Sequence, residues 1–334
     1  MKYDYKSADF MVLLPCPMKA GFGRLANQIS IQFAKETGER VNFLPLSAMD
    51  PEIIGDLMSI DNPENFPAVM MIPGTALPFA ETFKQRFRNT GCFESIMNED
   101  NPLFHKYGFY DPKRYYDVIG ISPIAFFSDK TYHTNLEPPK SWKALLRDPQ
   151  YHRMVGMPGR ETVGFQDFPI MAAYQLYGEE GVLALAKTAR SCLLPAEMVR
   201  MAGSRRDIAP PIGILNYAMA KAAGQKNSQT EFIWPEEGVY AGPMIMLTRK
   251  SAPEKARALA KQIVGEETAG TFRMGGFYSA ADPEPLGDGE VFWSGWDFLE
   301  NTNISELSSR LSRLMLENCN LIYATVALQE DCAV

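Results

Sequence analysis

Cys16, Met18 and Lys19 bring the most reactive chemistry of this chain into one short stretch, Pro15-Cys16-Pro17-Met18-Lys19-Ala20-Gly21. A thiol and a thioether are soft donors suited to Cu(I) or another thiophilic metal, and an ammonium pairs with a carboxylate or phosphate. No histidine or third thiol lies nearby in sequence, so plain packing of Cys16 and Met18 under the loop competes with a metal role. Cys16 as an enzyme nucleophile is a further reading, and it requires a depressed thiol pKa. Gly74 and Thr75, in Pro73-Gly74-Thr75, offer backbone amides and a hydroxyl, although Thr75 could instead cap a following helix. Pro158-Gly159-Arg160-Glu161-Thr162 follows a strand-like segment and leads toward a helix. Arg160 there is the best guanidinium for a bidentate anion contact, with Thr162 beside it; a solvated surface arginine is the competing reading.

Other patterns carry less. Gly21-Phe22-Gly23-Arg24-Leu25-Ala26 has the glycine spacing of a dinucleotide fingerprint, but Pro15 to Ala20 separate it from the preceding strand. Pyrophosphate binding needs the glycines directly after that strand, so the stretch reads as a helix entrance. His105, His133 and His152 share no ligand spacing. No Gly-x-Ser-x-Gly, phosphate-binding loop or His-Glu-x-x-His occurs, so no enzyme class and no cofactor is indicated.

The elements that must position these residues alternate between strand and helix. Residues 10–14 read as a buried strand, and 22–35 as a helix with Phe22, Leu25, Ala26, Ile29 and Phe33 on one face and Gly38 as its stop. Residues 40–46 and 67–74 read as further strands, which favours a largely parallel sheet with helices on its faces. The run 118–127 is extended and apolar. A helix at Trp142, a strand at Val155, helices near 168–177 and 180–188, and a strand-helix pair at 212–223 follow. Residues 230–239 read as a strand broken by a turn, 244–247 as a strand and 253–264 as a helix. A last helix is expected from Ile304 to about Ala327.

The chain has 334 residues, 46% hydrophobic and 22% charged, which suits two α/β domains. A net charge of −7 disfavours nucleic acid as a partner. No apolar stretch is long enough to span a bilayer, and no direct membrane insertion is expected. The N-terminal residues are too polar for a signal peptide, so either one has been removed or the protein is cytoplasmic. Five scattered cysteines form no disulfide framework or zinc site and favour a reducing compartment.

Several stretches occur in the order found in one family. Pro139-Lys140-Ser141-Trp142 precedes Ile212-Gly213-Ile214-Leu215-Asn216-Tyr217, then Phe232-Ile233-Trp234-Pro235-Glu236-Glu237-Gly238, then residues 252–277, then Trp293-Ser294-Gly295-Trp296-Asp297. Over roughly residues 110–300 the chain resembles bacterial solute-binding proteins of the iron(III)/polyamine/thiamine branch, which deliver ligands to ABC importers. The resemblance implies an α/β, two-lobed, type II periplasmic-binding-protein-like fold with two crossing hinge strands and ligand in the cleft. Residues 1–115 and 243–300 would form lobe 1, residues 116–242 lobe 2, and a C-terminal helix in 301–334 would pack on a lobe. It further implies ligand contacts from Ser122 in the first crossing strand, from Asn216 and Tyr217, and from Tyr240 near the return crossing. Ferric members use adjacent tyrosines, whereas here Tyr217 is followed by Ala218, and the pair Tyr115-Tyr116 lies elsewhere. Trp296 and Asp297 could give the site an aromatic wall and a carboxylate, against a structural role for the tryptophan.

The leading expectation is therefore a monomeric receptor that closes two lobes on a small anion, a metal complex or an organic ligand, is not an enzyme, and pairs with an ABC permease if exported. A periplasmic or extracellular location follows if a signal peptide was removed. The alternatives are a cytoplasmic sensor or carrier of the same fold, a Cys16-dependent enzyme on a two-lobed frame, and a purely structural or interaction protein.

Overall fold

The computed structural model describes residues 3–48, 50–131, 134–160, 164–204, 206, 208–287 and 289–324. Strands β1 (Phe10–Leu14), β2 (Phe43–Ser47) and β3 (Val69–Pro73) alternate with helices α1 (Cys16–Lys19), α2 (Phe22–Thr37) and α3 (Pro51–Ser59). Short helices α4 (Glu81–Phe83), continued by a π turn over Lys84–Arg88, and α5 (Pro102–Lys106) lead to the long strand β4 (Asp117–Asp129). Then come α6 (Trp142–Arg147), β5 (Val155–Arg160), β6 (Gly164–Phe165), α7 (Asp167–Thr188), β7 (Ala189–Leu193), α8 (Pro195–Met201), β8 (Ile212–Asn216), α9 (Tyr217–Gly224) and β9 (Thr230–Ile233). The chain returns through β10 (Val239–Thr248), α10 (Glu254–Ile263), α11 (Glu266–Met274) and β11 (Tyr278–Ser279). It ends with β12 (Val291–Phe292), α12 (Trp296–Asn301), α13 (Ile304–Asn318) and β13 (Tyr323–Ala324).

Two compact units result. Unit 1 takes residues 1–122, 242–287 and 295–305; unit 2 takes 123–241, 288–294 and 306–334. The chain passes between them within β4 and β10, and again after residues 287, 294 and 305.

In unit 1, β1 pairs in parallel with β2 on one side and β3 on the other, and β10 runs antiparallel to β3. All five residues of β1 are buried, which is why it reads as an unbroken apolar run rather than an alternation. The faces Phe22-Ala26-Ile29-Phe33 of α2 and Ala256-Leu259-Ala260-Ile263 of α10 pack into the same core as Phe10, Val12 and Leu14. Gly38 stops α2 in the left-handed conformation, φ 73°, its N–H donating to the Ala34 carbonyl. A second cluster joins Phe66, Phe83, Phe87 and Phe93, with Phe83 and Phe87 ring centroids 4.8 Å apart.

Beside that cluster lies a buried cation. Arg88 is 1% exposed. It donates to both Asp111 oxygens at 2.8 and 3.1 Å and through Nε to Glu300 at 2.6 Å, while the Phe79, Tyr116 and Trp296 rings surround its guanidinium within 5.5 Å. Burial alone would lower its pKa, but Asp111 and Glu300 outweigh that and raise it. This network ties α12 to the body of unit 1.

In unit 2 the strand order is β13-β7-β5-β8-β4, with β9 also on β4; β7, β5 and β8 are parallel and β4 is antiparallel to β8. Gly213 in β8 is a close-approach glycine, since a Cβ there would sit 2.0 Å from the Phe127 ring. Two stretches of the family-like pattern meet at the start of α6. Ser141 caps Ala144 N–H, and the Glu237 carboxylate accepts from Trp142 and Lys143 N–H, each at 2.8 Å. The Trp142 indole donates to the Gly238 carbonyl at 3.2 Å.

Three sequence expectations change. The stretch after β1 is not a loop, because Cys16–Lys19 makes the single helical turn α1. The last helix stops at Asn318 rather than near Ala327, and the chain turns into β13 on the edge of β7. Arg160 does not lead straight into a helix, since β5 first folds back on β6.

Candidate ligand-binding site

Parallel strands carry their following segments to one end of a sheet, where free amides and helix starts favour ligands. In unit 1 the register Val12↔Met71 and Leu14↔Ser47 aligns the ends of β1, β2 and β3. Met244 of β10 pairs Pro73, and Gly74 N–H donates to the Pro243 carbonyl at 2.8 Å. Met18, Lys19, Gly74 and Thr75 therefore share one end of unit 1. Ser122, buried, ends the unit 1 part of β4, and the pairing Tyr278↔Ile121 brings the residues before Tyr278 to the same end.

Their individual roles differ. Met18 is fully buried, so packing governs it, whereas Lys19 is exposed. Gly74 adopts φ 81°. Thr75 caps no helix: α4 is preceded by Ala80, and the Thr75 carbonyl accepts from Phe79 N–H. The side chains of Cys16 and Arg160, and the whole of Thr162, lie outside the described residues.

In unit 2 the pairs Pro158↔Leu193 and Gly156↔Gly213 align the ends of β5, β7 and β8, and Asn216 lies opposite Ile124 of β4. Arg160, Asn216 and Tyr217 thus share one end of unit 2. The Asn216 side chain caps α9, accepting from Met219 N–H at 3.0 Å. Tyr217 is half-buried, its ring edge-on to Phe232 and Trp234 at 5.6 and 5.8 Å, and its hydroxyl accepts from Lys221 at 3.3 Å. Tyr240 is buried beside Phe168 and Phe292, and its hydroxyl shares a hydrogen bond with Ser294 at 2.9 Å. Burial pushes its phenol well above the usual tyrosine range, which opposes a phenolate role.

Tyr116 and Trp296 line the Arg88 network instead of a ligand surface. A concavity of about 520 Å³ in unit 1 opens at Asp117, the start of β4, whereas Ser122 ends the unit 1 part of that strand. Its buried carboxylates are engaged: Asp117 accepts from Ser95 and from Ile96 and Met97 N–H, and Asp282 pairs with Arg273. Among the described residues no three His, Cys, Asp or Glu side chains group to hold a metal ion, and no helix is long and apolar enough to cross a membrane.

Sequence reasoning missed Lys221 and Met274. Lys221 lies one turn along α9 from Tyr217, a spacing that marks neighbours on a helix face. Met274 ends α11, a helix that the sequence reading, which stopped its helix at residue 264, did not include.

The family model for bacterial extracellular solute-binding proteins matches residues 64–302, beginning well before the stretch in which the motifs are recognisable. No curated protein matches the chain. Among solved structures, a putative extracellular solute-binding protein from Bordetella parapertussis is 13% identical, with 93% of this chain and 99% of that chain covered and a TM-score of 0.64. A Trichodesmium protein (IdiA, FutA) in complex with iron and citrate is 13% identical over 92% of this chain and 99% of its own, TM-score 0.61. The open ferric iron-binding protein A of Mannheimia haemolytica is 14% identical over 93% and 98%, TM-score 0.59.

Proposed function

The chain belongs to the bacterial extracellular solute-binding proteins, and from that premise we propose that it is the receptor of an ABC importer for a small organic anion, working outside the cytoplasm. The observation that carries the reading is the convergence of Lys19 and the Gly74–Thr75 turn on one strand end of unit 1, and of Arg160 and Tyr217 on one strand end of unit 2. Each of these strand ends carries one cation and one hydroxyl in its sequence, donor types suited to a carboxylate. Gly74, in the left-handed conformation, shapes the turn that presents Thr75, and Asn216 holds the start of α9 in place. The ligand is released unchanged, so the site needs no nucleophile.

The ferric relatives favour a second reading, an iron–carboxylate complex. Two observations weigh against a bare ferric ion: Ala218 follows Tyr217, and the buried Tyr240 phenol is engaged by Ser294. Native purification without added ligand, then elemental analysis and mass spectrometry of what unfolding releases, separates the two. The organic-anion reading expects a stoichiometric carboxylate without metal. Stoichiometric iron with a visible phenolate-to-iron band would overturn it. Titration calorimetry of the emptied protein then expects Arg160→Gln and Tyr217→Phe each to weaken carboxylate binding by about tenfold, the weight of one charge-assisted hydrogen bond.

A further inference from the structure

Met274 is 75% exposed, against 49% for Ile31, 51% for Leu316 and 41% for Ile322, the other large apolar side chains left open among the described residues. A single exposed apolar side chain is ordinary on a protein surface. What distinguishes this one is its place and its backbone. A Cβ built on Gly21 would lie 3.9 Å from the Met274 methyl and 3.9 Å from Thr271 Cβ, so Met274 stands over the corner between α1 and α2, two residues from exposed Lys19. That corner belongs to the strand-end edge of unit 1. The backbone behind Met274 is pressed onto the core: a Cβ on Gly275 would come 2.7 Å from Cγ of the fully buried Met18. Gly276 then turns the chain with φ 84° into β11. The main chain is fixed while the thioether is unbranched and adaptable, an arrangement suited to variable apolar groups.

We propose that Met274 is a specificity-determining residue and that the ligand is an amphipathic carboxylate, its head group at Lys19 and its hydrocarbon against Met274. This rests on the organic-anion reading of the same site.

The test is calorimetric titration of the emptied full chain with straight-chain monocarboxylates from acetate to octanoate. Complete burial of one methylene strengthens binding about fourfold. The protein is expected to show a rise per methylene approaching that factor. Met274→Ser should flatten the rise while leaving acetate binding unchanged, and Met274→Leu should restore it. Lys19→Gln should weaken every member by a common factor. A rise as steep in Met274→Ser as in the unsubstituted chain overturns the inference and leaves the organic-anion reading standing. Failure of every chain length and of di- and tricarboxylates to bind the unsubstituted protein overturns both. Thermal unfolding of each variant, expected within 2 °C of the unsubstituted protein for surface changes of about ±0.5 kcal/mol, confirms that a lost rise is not a lost fold.

Discussion

Replacing Arg88 by methionine isolates the charge in the unit 1 network. Methionine keeps much of the contact with Phe79, Tyr116 and Trp296 but removes every donor to Asp111 and Glu300. Breaking one side of a buried ion pair costs about 3–5 kcal/mol because the partner charge is left behind. Two features place this site at the low end. Asp111 still accepts from Lys113, Tyr115 and Tyr116 N–H at 3.0–3.1 Å, and Glu300 keeps Lys113 at 3.3 Å. Arg88→Met is therefore expected to destabilise unit 1 by about 3 kcal/mol, or roughly 6–12 °C in the melting of a unit this size. Urea unfolding followed by circular dichroism measures it. Arg88→Met/Asp111→Asn should lose less than the sum of the two single changes, because no charge remains unpaired. Sodium chloride at high concentration should leave the unsubstituted network largely intact, since both side chains are 1% exposed. A loss below about 1 kcal/mol in Arg88→Met would refute the reasoning and assign the hold on α12 to the rings alone.

Three further positions can each be tested by a single substitution. Glu237→Gln keeps one acceptor but loses the charge at the start of α6; a loss of about 1–2 kcal/mol is expected, with altered near-ultraviolet dichroism from Trp142. Gly213→Ala should cost about 1–3 kcal/mol or more, because Phe127 must move to admit a methyl group, and a neutral result in chemical denaturation would mean that β8 and β4 separate easily. Burial raises the Asp117 pKa despite bonds from Ile96, Ser95 and Met97. The folded state then holds the proton more tightly than the unfolded chain, so this group's stabilising contribution is complete below about pH 3.9 and is lost as pH rises through the folded value. The stability of Asp117→Asn minus that of the unsubstituted protein should accordingly climb with pH from about 4 upward; a flat difference curve contradicts the shift.

Legibility in the sequence followed the source of each element's stability. β1 and α2 were readable because their burial is written into local periodicity, and the break in α7 at Tyr177 and Gly178 because the sequence carries two separate helical stretches there. β7 was not readable: Ala189-Arg190-Ser191-Cys192-Leu193 has neither alternation nor a β-branched run, and it is a strand because β5 and β13 pair with it. The end of α13 was overrun because no glycine or proline stops it; pairing of Tyr323 with Ser191 does. Strand ends could be inferred from the strands before them, so the placement of Lys19, Gly74 and Arg160 at or just after strands was legible, whereas Asn216 and Tyr217 came from the family pattern. The engagement of Tyr240 by Ser294 joins residues 54 apart, and the Arg88–Glu300 contact joins residues 212 apart, so neither leaves a local pattern.

The residues that made the family recognisable are chiefly those that make contacts inside one unit or the other. Trp142, Glu237 and Gly238 bind one another at the base of α6, Gly213 makes room for Phe127, and Trp296 lies on the Arg88 network. Each is fixed by a contact that few other side chains can make, which ties the pattern to the fold rather than to a ligand. Lys19 and Met274 are exposed and Tyr217 is half-buried. Each sits on a backbone held by something else: the α1 turn, the Met18–Gly275 contact, the Asn216 cap. Their side chains can be exchanged without disturbing that backbone. A receptor scaffold arranged this way keeps its fold signature in its scaffold contacts while its specificity varies independently at the strand ends. Motif order therefore reports the family, and in the proposed reading the solute is set by strand-end side chains such as Lys19 and Met274.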